Sequence, residues 1–162
     1  MFAPDDGAVS VLPVGLRAEP PAAVLPGALW VAGDPLDYAW AAGAGIDVVV
    51  DLSDAGQRPD PAEIVAVDYR KYPLADHVLP AGDLIQQIVA AVVVDVREGR
   101  RVVVHCGTGT NRSAFVVALA VRELLGVSGI EAIATLRAAR PGALTDRIFV
   151  DYLAGVAAPS AP

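Results

Sequence analysis

The chain has 162 residues, 54% of them apolar, with 12 basic against 19 acidic side chains and a net charge of −7. That length suits one domain burying roughly 70% of its unfolded surface, and no apolar run reaches the ~18 residues of a membrane span. The acidic balance argues against a nucleic-acid partner, because a phosphate backbone demands a basic face. Cys106 is the only cysteine, so an internal disulfide is excluded. The opening MFAPDDGAVS lacks the basic start of a signal peptide. A cytoplasmic domain with no membrane partner is expected.

Residues 1–23 read as an irregular arm, rich in proline and poor in periodicity. LWVA, 29–32, predicts an edge strand. IDVVVDLS, 46–53, is a continuous β-branched run of the kind buried on both faces of a sheet. Residues 64–74 form a weaker strand candidate ended by Pro73. Asp83 is expected to cap a helix with apolar positions at 85, 88, 89, 92 and 96, which Gly99 stops.

RVVVHC, 101–106, reads as a strand, and apolar residues at 114, 117, 118, 121, 124 and 125 repeat with helical spacing up to Gly126. SGIE, 128–131, is a capping box for a further helix closed by Pro141. Thr145 is expected to cap a last helix through Leu153, and residues 156–162 to form a frayed tail. Strands alternating with helices over 24–155 predict a single α/β domain. Its central sheet should be mostly parallel, with about four or five strands flanked by helices.

The chemistry concentrates in HCGTGTNRS, 105–113, where the carboxyl end of a strand meets the amino end of a helix. Ligands bind at such junctions in open α/β sheets. Helix-start N–H groups are unpaired and the helix dipole is positive there, so the turn is an anion cradle. Gly107 and Gly109 allow successive amides to converge on one oxyanion.

A Walker loop needs Gly-Lys-Ser/Thr, and there is no lysine here. A dinucleotide loop needs a third glycine, but position 112 is arginine. His77, His105 and Cys106 are too few and too badly spaced for a metal site, and no cofactor is called for. A lone cysteine is ordinarily a small buried hydrophobe. This one has His105 before it, two glycines after it, then Arg112 and the Ser113 hydroxyl. A thiolate is favoured where a helix N-terminus and an arginine converge, and it is a nucleophile at neutral pH. Residues 106–112 can wrap one tetrahedral dianion, with sulfur below and guanidinium forking onto two oxygens. Attack of sulfur on the phosphorus of a phosphate ester is the chemistry this suggests.

These residues fit H-C-x-x-G-x-x-R-S, and the chain thereby resembles the cysteine-dependent protein phosphatases, in particular the compact dual-specificity phosphatases. The likeness extends over residues 24–153: segments 24–54, 67–77 and 136–153 are similar to that family's opening strands, acid-loop approach and closing helices. It implies that Cys106 becomes a phosphocysteine. Gly107, Thr108, Gly109, Thr110, Asn111 and Arg112 would hold the phosphoryl oxygens. Ser113 would assist the sulfur as leaving group and His105 would order the loop, a proton-shuttle role for His105 being the rival.

Asp76, on the loop after the third strand of the family pattern, would be the general acid. Asp83 and the more distant Asp54 are its rivals, and His77 is expected to face solvent and tune Asp76 weakly. The implied substrate is a phosphorylated protein or peptide, carrying phosphotyrosine and also phosphoserine or phosphothreonine. Thr108 stands where the family often has alanine. The lysine-free loop disfavours inositol polyphosphates, and Asn111 is shared with RNA 5′-triphosphatases. RNA 5′-phosphates, a small phosphorylated metabolite, or mere reading of phosphoproteins are the alternatives.

Overall fold

The computed structural model describes residues 20–34 and 36–161. Five strands, β1 (Ala22–Leu25), β2 (Leu29–Ala32), β3 (Val48–Asp51), β4 (Asp68–Lys71) and β5 (Val102–His105), form one sheet in the order β1-β2-β5-β3-β4. Only β1 runs antiparallel to its neighbour. The helices are α1 (Tyr38–Gly43), α2 (Gly82–Arg97), α3 (Arg112–Leu125), α4 (Gly129–Ala139) and α5 (Arg147–Ala154). This is the single-domain α/β architecture that the alternating pattern predicts.

Strand alternation decides which side of the sheet each residue serves. Leu29, Val31, Val48, Val50, Val102 and Val104 join one core with the apolar stripes of α2, α3, α4 and α5. Trp30, Ala32, Val49 and Val103 face the other way, into a smaller core with Ala41 of α1. Both faces are covered, which is why these strands read as unbroken apolar runs. The register sets His105 level with Ala32 on one side and Asp51 on the other, and Asp51 level with Lys71. Four strands therefore end together, and the loops that follow them converge on one edge of the sheet.

Several expectations change. LWVA is an inner strand, because Ala22–Leu25 folds back on it as the true edge. The alanine-rich AAVL carries little β-signal by itself. The domain accordingly begins before residue 24; residues 1–19 of the expected arm lie outside the described residues. The long candidate at 64–74 contracts to β4, and Pro61–Ile64 before it forms a 3-10 turn closed by an Asp60–Glu63 capping box.

Ala81, not Asp83, is the N-cap of α2; the Asp83 carboxylate instead accepts from Leu84 N at 2.9 Å within the first turn. Asp146, not Thr145, caps α5. The SGIE box is present as expected. The start of the tail is tied down: Val156 O accepts from Gly129 N at 2.9 Å and Ala157 O from Arg122 Nε at 2.6 Å. Among the described residues no single helix is long and apolar enough to cross a membrane.

Candidate active site

β5 delivers Cys106 to the head of α3. The intervening loop lies against the exit of β2: Cys106 N donates to Ala32 O at 3.3 Å, and Asp34 N to Gly107 O at 2.9 Å. Contact is so close that two glycines are obligatory. A Cβ on Gly33 would sit 2.9 Å from the Thr108 carbonyl. On Gly109, at φ +70°, it would sit 2.6 Å from the Ala32 carbonyl carbon.

The Cys106 side chain is buried at the bottom of this loop. Its Sγ accepts a hydrogen bond from Gly109 N at 3.3 Å and lies 3.2 Å from Ser113 Oγ. Ser113 Oγ also reaches Ala32 O at 3.4 Å, so its single proton can serve the sulfur or the carbonyl, not both.

Arg112 opens α3, and its side chain folds back along the loop, with Nη2 3.0 Å from where a Gly107 Cβ would stand. Nη1 donates to Leu74 O at 3.0 Å and to Asp54 Oδ1 at 3.3 Å. Nε, 3.5 Å from Asp76 Oδ1, is buried and has no hydrogen-bond partner among the described residues. One edge of the guanidinium is thus fixed by protein, and the Nε donor remains to be satisfied. The Asp54 and Asp76 side chains are 75% and 48% exposed, so two solvent-accessible carboxylates rim one buried cation.

His105 points to the opposite face of the sheet from Cys106. Its Nε2 is 3.6 Å from Asp51 Oδ1, and among the described residues neither ring nitrogen has a hydrogen-bond partner. Burial pushes its pKa below the ordinary histidine value, against the pull of Asp51 and Asp34. The ring is therefore neutral at pH 7.

Asp51 anchors the polar cluster around it. Its carboxylate accepts from Ser53 N at 2.8 Å, Ser53 Oγ at 2.6 Å, the Tyr69 hydroxyl and Lys71 Nζ at 2.9 Å. Burial opposes ionisation of Asp51, but the donors on Ser53, Tyr69 and Lys71 favour the carboxylate, and its pKa is lowered. Lys71, the only lysine, also donates to Ser53 Oγ and Gln57 O, both at 2.7 Å, bracing the 52–60 loop that carries Asp54.

The far side of the 106–112 loop is tied to α5. Leu144 N donates to Thr110 O at 2.7 Å, Asp146 N to Asn111 Oδ1 at 2.9 Å, and Asn111 Nδ2 to Thr145 Oγ1 at 3.1 Å.

No family model and no curated protein matches the sequence, whereas many solved structures do. Human DUSP28 is 28% identical, aligned over 83% of this chain and 90% of its own, with a TM-score of 0.68. Tk-PTP in its active form is 25% identical over 82% of this chain and 95% of its own, with a TM-score of 0.70. A mouse protein assigned as a dual specificity phosphatase and crystallised with zinc tungstate is 25% identical, covering 91% of this chain and 89% of its own, with a TM-score of 0.72.

The fold is that of the cysteine-dependent dual-specificity phosphatases.

Within this phosphatase fold, Cys106, Arg112, Ser113 and the loop residues from Gly107 to Asn111 lie at one edge of the sheet, and Asp76 reaches Arg112 from a separate loop. His105 stays behind the loop, on the α1 side, and Asp83 accepts from Leu84 N at the start of its own helix. Asp54 is brought in as close to Arg112 as Asp76 is, which its position in the sequence does not signal. Gly33 was also missed; its one sequence signal is a glycine directly after the LWVA strand. His77 is exposed, as expected, but its ring Nδ1 lies 2.6 Å from Asp146 Oδ2.

Proposed function

We infer that the chain hydrolyses phosphomonoesters of proteins, phosphotyrosine first and phosphoserine or phosphothreonine with it, through a cysteinyl-phosphate. One observation carries the reading. The buried, unpartnered Nε of Arg112 stands at the same helix start where Cys106 Sγ already accepts from a backbone N–H. A phosphoryl group in the loop would satisfy that donor together with amides at the helix start.

In the first step the Cys106 thiolate forms an S–P bond while the P–O bond to the leaving group breaks. Arg112 and the loop amides hold the three equatorial oxygens through this step. Asp76, protonated, gives its proton to the departing oxygen. In the second step the Asp76 carboxylate takes a proton from water, whose oxygen attacks phosphorus. The S–P bond breaks, phosphate leaves, and Ser113 turns its proton to the sulfur as the thiolate returns. His105, neutral and behind the loop, orders the backbone rather than moving a proton.

The test is hydrolysis of para-nitrophenyl phosphate between pH 5 and 8 in excess EDTA. Turnover that persists in EDTA and vanishes in Cys106→Ser supports the reading. An inert, folded and reduced wild type overturns it and favours a phosphoprotein-reading role. Tyrosine-, serine- and threonine-phosphorylated peptides, with 5′-triphosphate RNA as competitor substrate, then define the substrate class.

A further inference from the structure

The loop bearing Asp76 crosses from β4 to α2 and contains no helix or strand between 72 and 81, only a turn at 76–77. Its position depends on what holds it. Leu74 O is pinned by Arg112 Nη1 on one side of Asp76. On the other side stands His77, with φ +57°, a left-handed conformation that L side chains rarely adopt. Asp146 Oδ2 is its partner at 2.6 Å, while Asp146 Oδ1 accepts from Ile148 N at 3.1 Å as the cap of α5.

The same Asp146 donates its backbone N–H to Oδ1 of Asn111, the last residue before Arg112. Segment 143–144 just before it is held in turn by Arg137, through Ala143 O at 3.2 Å and Leu144 O at 2.8 Å. A continuous chain therefore runs from the phosphate loop, through the head of α5, to the residue next to Asp76.

We propose that the His77–Asp146 pair is a latch that fixes the acid loop to the phosphate loop and so positions Asp76 over the reacting phosphoryl group. This rests on the phosphatase reading given above and adds a positioning role for two residues outside the H-C-x5-R-S motif. Three features support it. Asp146 is largely shielded, its side chain 13% exposed, so the pair is anchored on a rigid cap. The His77 hydrogen bond, followed by that of Ile148, holds the Asp146 carboxyl below the usual carboxylate range, which favours Asp146 as the acceptor of the pair. The left-handed backbone turns His77 towards α5 while its neighbour Asp76 faces Arg112.

The test exploits the leaving group. Phenyl phosphate needs a proton on its departing oxygen, whereas 2,4-dinitrophenyl phosphate does not. His77→Gly removes the ring and relieves the left-handed backbone. Asp146→Ser keeps a capping oxygen but shortens the side chain, so that it cannot also reach His77. Each variant is expected to lower kcat on phenyl phosphate about tenfold with KM nearly unchanged, to lower kcat on the dinitrophenyl ester less than about twofold, and to be non-additive in the double variant.

Amide exchange over residues 75–79 should quicken in both variants whether or not catalysis is measured. Equal losses on both esters, unchanged kcat on phenyl phosphate, or unchanged exchange would each overturn the latch. A wild type inert on both esters would overturn the phosphatase reading and the catalytic role of the latch with it. The exchange measurement would then still report separately on whether the contact holds the loop.

Discussion

Gly33 and Gly109 meet backbone to backbone, so close that a Cβ on Gly109 would stand 2.7 Å from Gly33 N. This contact, between the exit of β2 and the 106–112 loop, sets the curvature of that loop around Cys106. In Gly109→Ala the clash is with main chain at positive φ and cannot be relieved by a rotamer. We expect a cost of about 1–3 kcal/mol and the loss of most turnover. At Gly107 an added Cβ meets the Arg112 side-chain Nη2 at 3.0 Å. Gly107→Ala should therefore displace the guanidinium, raising KM with a smaller loss in Tm. Thermal melts beside steady-state kinetics separate the two outcomes.

Cys106→Ser should remove turnover while the fold and inorganic phosphate binding persist. Arg112→Lys replaces a planar fork by a point charge, and loses the donors that hold Leu74 O and Asp54 together. The expected loss in kcat is about 10²–10³-fold, checked by single-turnover kinetics, with Leu74 O and the acid loop left less ordered.

Asp54 and Asp76 flank Arg112 from different loops, and their roles can be told apart. Asp76→Asn should slow phenyl phosphate turnover by about 10²-fold or more and leave KM nearly unchanged, with a much smaller effect on the dinitrophenyl ester. Asp54→Asn removes one brace on Nη1 and should act similarly on both esters. A larger, leaving-group-sensitive loss in Asp54→Asn would move the general acid to that residue.

His105 supplies a pH dependence of stability. Its pKa is lowered in the fold, so below about pH 6.5 the unfolded chain binds a proton that the folded chain refuses. Stability must fall as pH drops through that window, and the effect levels off once the folded histidine also protonates. The decline in Tm between pH 7 and pH 5 should be shallower in His105→Asn than in the wild type. Parallel curves would show that the buried histidine contributes little to acid sensitivity.

The core of the site was legible because its parts are neighbours in the chain. A strand end, a glycine turn and a helix start are each encoded by a few adjacent residues. Cys106, Arg112 and Ser113 follow one another through exactly such a sequence of elements, as do the SGIE cap and the Gly126 stop. Boundaries governed by competition were less legible. Thr145 and Asp146 are both good caps, and the choice fell to Asp146 once Thr145 was engaged by Asn111. β1 was hidden because alanine has little intrinsic preference for a strand, and pairing with β2 supplied what composition did not.

The sequence by itself determined that a thiol, a glycine-rich helix start and a guanidinium stand together, because all three lie within eight residues of covalently connected chain. Only the tertiary structure decided what surrounds them. Asp54 is 58 positions from Arg112, Ala32 is 81 from Ser113, and His77 is 69 from Asp146. These meetings depend on strand order and register, which place the ends of β2, β5, β3 and β4 level along one edge. Strand order follows from the burial of whole faces against helices, a property of the assembled sheet that no local run of residues encodes.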